Sequence, residues 1–230
     1  MSATYKDRVE AGRELARLLG AYRDRKDVLV LGLPRGGVPV AYQVALALRA
    51  PLDVFLVRKL GVPGHEELAM GAVASDGTVA INTEVMEALA IPEATLRRVL
   101  RSEQAELARR ARVYRGQRPP PLVQDRTVIV VDDGLATGST MQAAIAALRQ
   151  LEPARLILAV PVAAPETAAT LRAIADEVIC LCTPEPFFTV SQGYEDFSET
   201  PDQEVRALLS QAMTSIVATG ASREAETATL

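Results

Sequence analysis

VIVVDDGLATGST, residues 128–140, is the stretch on which the reading of this chain turns. Four β-branched apolar residues stop abruptly at Asp132 and Asp133. A glycine-bearing turn leads into Thr137-Gly138-Ser139-Thr140, and an alanine-rich helical pattern follows. A strand that is apolar at every position is buried on both faces, as in a parallel sheet covered by helices. The two acids then stand at its C-terminal edge, where open α/β sheets bind ligands. The small residues Gly134, Ala136, Gly138 and Ser139 let backbone N–H groups turn inward. With the N-terminus of the next helix, those donors form an anion site suited to a phosphate monoester. Such a cradle beside two carboxylates suits a phosphorylated sugar, with Asp132 and Asp133 available to vicinal hydroxyls or to Mg²⁺.

Simpler readings account for less of the pattern. Acids after a strand can merely cap a helix, and glycines can merely punctuate a loop. Paired acids after a strand also hold Mg²⁺ in receiver domains. Neither explains why hydroxyl-bearing and glycine positions cluster directly after the acids. A P-loop requires G-x-x-x-x-G-K-[ST], and no lysine follows Gly138.

The run resembles, without a gap, the phosphoribosyl pyrophosphate (PRPP) binding motif of type I phosphoribosyltransferases: an apolar strand, two acids, a short spacer, then Thr-Gly-Ser-Thr. The resemblance covers roughly residues 25–200. It implies a parallel-sheet, Rossmann-like α/β fold with a small hood. It also implies that Ala136, Thr137, Gly138, Ser139 and Thr140 hold the 5′-phosphate, while Asp132 and Asp133 contact the ribose hydroxyls. Some members of that superfamily bind PRPP without catalysis. The LPRGGVPVA segment and the hood's YEDFSE also resemble a bacterial group of phosphoribosyltransferase-domain proteins of unassigned substrate.

Composition bounds the rest. A chain of 230 residues accommodates one α/β domain with a sizeable core. The expectation is a single domain over 1–212, its hood at about 183–200, and a flexible tail over 213–230. A net charge of -4 gives no support for a dedicated nucleic-acid binder. Cys180 and Cys182, spaced C-x-C on an apolar run, point to opposite faces of a strand, which is poor geometry for a mutual disulfide. Free thiols in a reducing cytoplasm follow, and a single histidine argues against a Cys/His zinc site. There is no apolar leader and no apolar stretch of membrane length, so the chain reads as a soluble cytoplasmic protein.

Along the chain, helical spacing over 5–19 precedes a strand at 28–33, a helix to about 48 and a second strand at 54–57. Short strands at 72–74 and 79–81 flank an Asp76-Gly77 hairpin turn. Two helices divided near Pro92 end at a Pro-rich link at 119–121. Then come strand 128–131, helix 138–150, strand 155–160, helix 165–174, strand 177–182 and a final helix at about 202–213. The alternation predicts a parallel sheet with right-handed crossovers.

Other residues extend the site. Gly32-Leu33-Pro34-Arg35-Gly36-Gly37 is a glycine-rich βα turn. Its two adjacent glycines predict a strained backbone aiming N–H groups at an anion, with Arg35 adding a full charge. The resemblance makes it the pyrophosphate loop. Arg58 and Lys59 are expected at the C-terminal end of the second strand, facing the same polyanion. Gly, Pro and Gly flanks predict a mobile loop over 61–71, where the family uses a flexible cover that excludes water. His65 and Glu66 within it are candidates for proton transfer or acceptor binding. The arginines between 97 and 112 alternate with Glu93, Glu103 and Glu106 and read as a solvated, ion-paired face. In the hood, Phe187, Phe188 and Tyr194 could stack on an acceptor ring, and Glu195 and Asp196 could read its N–H groups. A loop packing its own aromatics is equally compatible with the sequence.

Taken together, the resemblance implies a PRPP-dependent pentosyltransferase acting on a nitrogen acceptor, in which Asp132, Asp133, Arg35 and Lys59 carry the chemistry. Mg²⁺ would be the cofactor, near Asp132 and Asp133 or reached through PRPP, and the assembly a homodimer. A non-catalytic PRPP or nucleotide sensor and a sugar-phosphate phosphatase or phosphorylase are the alternatives.

Overall fold

The computed structural model describes residues 4–227, with side chains throughout except at 66, 67 and 215–227. Its centre is a parallel sheet of five strands: β1 (Val28–Gly32), β2 (Leu52–Val54), β6 (Thr127–Val131), β7 (Arg155–Val162) and β8 (Glu177–Cys182), in the order β2-β1-β6-β7-β8. All four pairings are parallel. Helices α1 (Arg8–Leu18), α2 (Gly37–Leu48), α5 (Ser139–Arg149), α6 (Pro165–Arg172) and α7 (Asp202–Thr227) belong to the same body. The final helix thus continues well past Met213, where the periodicity ends it; residues 228–230 lie outside the described part.

The period of two along β6 sorts its residues between two cores. Ile129 and Val131 join Val38, Val44, Leu15 and Val205 on one face. Val128 and Val130 join Met141, Ile145, Leu156 and Leu171 on the other. That double burial is why the run is apolar at every position.

Residues 54–62 depart from expectation. They do not form one strand ending in two cations. β2 stops at Val54, and Val57–Val62 is β3, part of a separate antiparallel sheet with β4 (His65–Ala74) and β5 (Val79–Ile81). Phe55 and Leu56 are buried in opposite cores, so the apolar run is continuous although the chain changes sheets within it. The segment expected as a mobile loop, 61–71, is the tip and second strand of the β3–β4 hairpin. Val62 pairs with His65 around Gly64 at φ +82°. The turn at Asp76-Gly77 does join two strands, with Gly77 N–H bonded to the Ala74 carbonyl at 3.0 Å. Helices α3 (Thr83–Ala88) and α4 (Glu93–Arg115) follow, divided at Pro92. No helix among the described residues is long and apolar enough to cross a membrane.

Candidate functional site

The strand order creates the site. β1 is followed through α2 by β2 on one side, while β6 lies on its other side, so the crevice between β1 and β6 is the point where the order reverses. Gly32 is in register with Val131, and Leu33 N–H reaches the Val131 carbonyl at 2.9 Å. The loops that leave the two strands, 33–36 and 132–138, are therefore neighbours.

Gly36 and Gly37 fit this junction because of space. Gly36 has ordinary right-handed angles (φ -61°, ψ -32°), and Gly37 N–H bonds the Leu33 carbonyl at 3.1 Å as the helix starts. Strained angles, expected of these glycines, are thus not what Gly36 adopts. A β-carbon on Gly36 would fall 1.9 Å from Asp133 Oδ2, and one on Gly37 2.7 Å from the Val131 carbonyl oxygen. Only glycine lets the first loop lie against the acid pair.

The second loop is a cradle. Gly138 takes left-handed angles (φ +71°, ψ 4°) as the N-cap of α5, which residues with side chains adopt at a cost. Thr137 Oγ1 and Ser139 Oγ share a hydrogen bond at 3.1 Å. The loop is anchored from outside: Leu135 N–H bonds Val162 O, Ala164 N–H bonds Leu135 O, and Thr167 Oγ1 donates to Ala136 O at 2.6 Å. A cavity of about 210 Å³ is lined by Asp132, Gly134, the run from Leu135 to Met141, and Val190. All five residues expected around a 5′-phosphate line it, at a helix N-terminus where backbone N–H groups favour an anion.

The two acids sit in different surroundings. Asp132 borders the cavity, and its carboxylate accepts from Asp133 N–H at 2.9 Å. Burial, then the neighbouring Asp133 charge, pushes its pKa well above the ordinary carboxylate range. Asp133 has a cation: Arg8 Nε lies 2.8 Å from its Oδ2. Tyr194 also donates its hydroxyl to the Asp133 carbonyl at 2.5 Å. Burial and then the Asp133 charge raise the Tyr194 phenol far above its usual value, so it stays a donor.

The basic candidates are spread over several partners. Arg35 borders the junction and ion-pairs with Glu199. It also lines a cavity of about 270 Å³ with Arg109, Arg110, Tyr114 and Asp202. Arg58 is bound to Glu103 of α4 at 2.6 Å, which turns it toward that helix. Lys59, next to it on β3, lines a cavity of about 600 Å³ shared with Ser139 and Gln142. His65 opens β4 and is exposed; the side chain of Glu66 lies outside the described part. The arginine-rich helix is ion-paired as expected, Arg97 to Glu93 and Arg109 and Arg110 to Glu106. Cys180 and Cys182 are free, and the Cys180 thiol donates to the Cys182 carbonyl.

In the segment expected as a hood, about 183–200, Tyr194 turns inward, 6% exposed, packed on Tyr5 and Phe197 at 6.1 and 5.0 Å between centroids. It is a structural strut, not an open stacking surface. Phe187 is partly covered by the same cluster, whereas Phe188 is 80% exposed. Backbone bonds from Tyr5 to Gly193, from Glu195 to Tyr5 and from Asp196 to Lys6 tie the segment to the N-terminal residues. Asp196 accepts from Ser198 N–H, which lowers its pKa. Sequence reasoning missed Arg8 and Glu199: each is one charged residue among many in its segment, and only the fold brings it to the site.

A model of the phosphoribosyl transferase domain matches residues 2–196. A Mycobacterium tuberculosis protein (strain CDC 1551 / Oshkosh), provisionally named as a phosphoribosyl transferase, is 45% identical over 217 residues, or 94% of this chain and 49% of its own length. Its counterpart in strain H37Rv matches to the same extent. The chain spans about half the length of these curated relatives. The crystal structure of TT1426 from Thermus thermophilus superposes with a TM-score of 0.83 at 41% identity, covering 90% of this chain and 97% of that one. The five-stranded parallel sheet agrees with the fold of that structure, and the chain belongs to the phosphoribosyl transferase domain family.

Proposed function

We propose that this chain binds PRPP in the crevice between β1 and β6 and transfers its ribose 5-phosphate to a nitrogen acceptor, releasing pyrophosphate. One observation carries the reading: the glycine turn at 36–37 lies against Asp132 and Asp133, beside a cavity lined by residues 134–141. Phosphate, hydroxyl and pyrophosphate groups of one donor match these three neighbouring surfaces.

The 5′-phosphate takes the cradle at 136–140, and the ribose hydroxyls donate to Asp132 and Asp133. Pyrophosphate lies toward Arg35, Gly36 and Gly37, with Lys59 approaching from β3. The Arg35–Glu199 pair is exposed on both sides and so is worth little, about 0–1 kcal/mol. Arg35 is therefore cheaply released to an incoming anion. Departure of pyrophosphate leaves oxocarbenium character on the sugar, and the acid pair beside it stabilises that charge electrostatically. No protein nucleophile is needed; positioning does much of the work. Two carboxylates, one already held by Arg8, make an incomplete donor set for Mg²⁺, which favours oxygen ligands in larger number. Asp132 and Asp133 would hold it together with oxygens of the donor, and the ion would supply charge neutralisation for the leaving group. The acceptor is a planar nitrogen heterocycle or similar ring, approached from the side of the hood where Phe188 stands exposed.

The test is a panel of nitrogen acceptors assayed for PRPP-dependent pyrophosphate release, with calorimetry of Mg²⁺–PRPP in parallel. Binding and acceptor-dependent release are expected, with turnover lost in Asp133→Asn. Binding without release from any acceptor would favour a PRPP sensor. Release of inorganic phosphate would favour a phosphatase or phosphorylase.

A further inference from the structure

Arg8 is the first residue of α1, 12% exposed at its side chain, and segments distant in sequence hold its guanidinium. Nε donates to Asp133 Oδ2 at 2.8 Å. The terminal Nη1 donates to the Ser198 carbonyl at 2.7 Å. The guanidinium carbon lies 4.0 Å from the centre of the Phe197 ring, a cation–π arrangement that fixes the plane of the group. Tyr194 holds the Asp133 backbone from the same hood segment. The Asp132 carboxyl stands beside that of Asp133, within reach of a side-chain hydrogen bond.

We propose that Arg8 is a positioning residue of the donor site: clamped by Phe197 and Ser198, it holds the Asp133 carboxylate by one oxygen and so sets its orientation toward a ribose hydroxyl. This rests on the PRPP reading above. The physical reasons are two. A charge-assisted hydrogen bond through a planar, rigid fork orients a carboxylate better than a flexible ammonium does. Arg8 also offsets one of two adjacent negative charges that would otherwise repel a polyanionic donor. Because the clamp is made from the hood, the hood and the acid pair move as one unit, and a displaced hood loosens the ribose site.

The experiment measures Mg²⁺–PRPP affinity by calorimetry in the wild-type chain, Arg8→Ala, Arg8→Lys and Phe197→Leu, with melting temperatures alongside. Arg8→Ala is expected to weaken PRPP by about tenfold or more, which corresponds to about 1.4 kcal/mol. Guanidinium ion at sub-denaturing concentration should restore part of that loss. Arg8→Lys and Phe197→Leu should fall between the two. A rescue of affinity separates positioning from a merely structural tie between α1 and the hood, which would lower the melting temperature without it. Should Arg8→Ala fail to fold, Arg8→Lys and Phe197→Leu decide: PRPP affinity equal to wild type in both overturns the clamp. Unchanged or tighter binding in a folded Arg8→Ala overturns it as well. A wild-type chain that binds no PRPP overturns the donor reading itself, a result distinguishable from the others.

Discussion

Asp132 and Asp133 are adjacent in sequence and opposite in circumstance. Asp133 has Arg8 at 2.8 Å; Asp132 accepts one backbone N–H at the edge of the cavity, and burial followed by its neighbour's charge raises its pKa. An acid with a raised folded pKa contributes its full stability below the unfolded pKa, about 4. That contribution is lost as pH climbs through the folded value. Asp132→Asn keeps an acceptor oxygen for Asp133 N–H but cannot ionise. It is expected to melt higher than wild type at pH 8, with the gain shrinking to nothing near pH 4. Thermal unfolding across that range checks it; a variant less stable at pH 8 contradicts this electrostatic account. Gly36 is the neighbouring test. A β-carbon 1.9 Å from Asp133 Oδ2 and 3.2 Å from Arg8 Nε forces the loop away from the acids. Gly36→Ala should cost about 1–3 kcal/mol by overpacking and abolish PRPP binding, read by urea unfolding and calorimetry.

At the scale of elements, the hairpin sheet and α4 are fastened to the parallel sheet through Arg115. It is 6% exposed and stands at the C-terminal end of α4. It donates to Asp53 of β2 at 3.1 Å, to Ser75 Oγ at 3.2 Å and to the Val54 carbonyl. Removing one member of a buried pair strands the other's charge. Arg115→Ala should therefore lose about 3–5 kcal/mol, measured by denaturant unfolding. Replacing Arg115 and Asp53 together should cost less than Arg115→Ala alone, because no unpaired charge remains. The exposed ion pairs of α4 behave differently. Arg109 and Arg110 hold the Glu106 carboxyl down to about 2, but in open solvent such pairs add little, and Glu106→Gln should move the melting temperature hardly at all.

For the whole molecule, the candidate site is assembled from β1, β6, α1, α5 and residues 194–199, so a ligand bound there would link parts that lie far apart along the chain. A ligand at about one hundred times its Kd adds about 2.7 kcal/mol to stability. For a chain of this size that corresponds to a rise of roughly 5–10 °C. Mg²⁺–PRPP should produce such a shift in a thermal melt, and Asp133→Asn or Gly36→Ala should remove it. A shift equal in all three proteins would place the ligand elsewhere.

The sequence by itself determined what depends on local pattern. Residues 128–131, apolar at every position, marked a strand buried on both faces. The small residues from Gly134 to Ser139 marked the turn into the next helix, and the alternation of strand and helix dictated a parallel sheet. These are backbone matters, and periodicity with turn chemistry reports on them directly. The run at 54–57 shows the limit of that report: Phe55 and Leu56 are buried in two different cores, and hydrophobicity alone does not mark where a chain leaves one sheet for another. Tertiary structure alone decided the pairings. Arg58 went to Glu103, Arg35 to Glu199, Arg8 to Asp133, and the Tyr194 ring went inward instead of toward a ligand. A charged side chain at a surface position carries no periodic signal of its partner, because the partner is chosen by which elements the folded chain brings within hydrogen-bond distance.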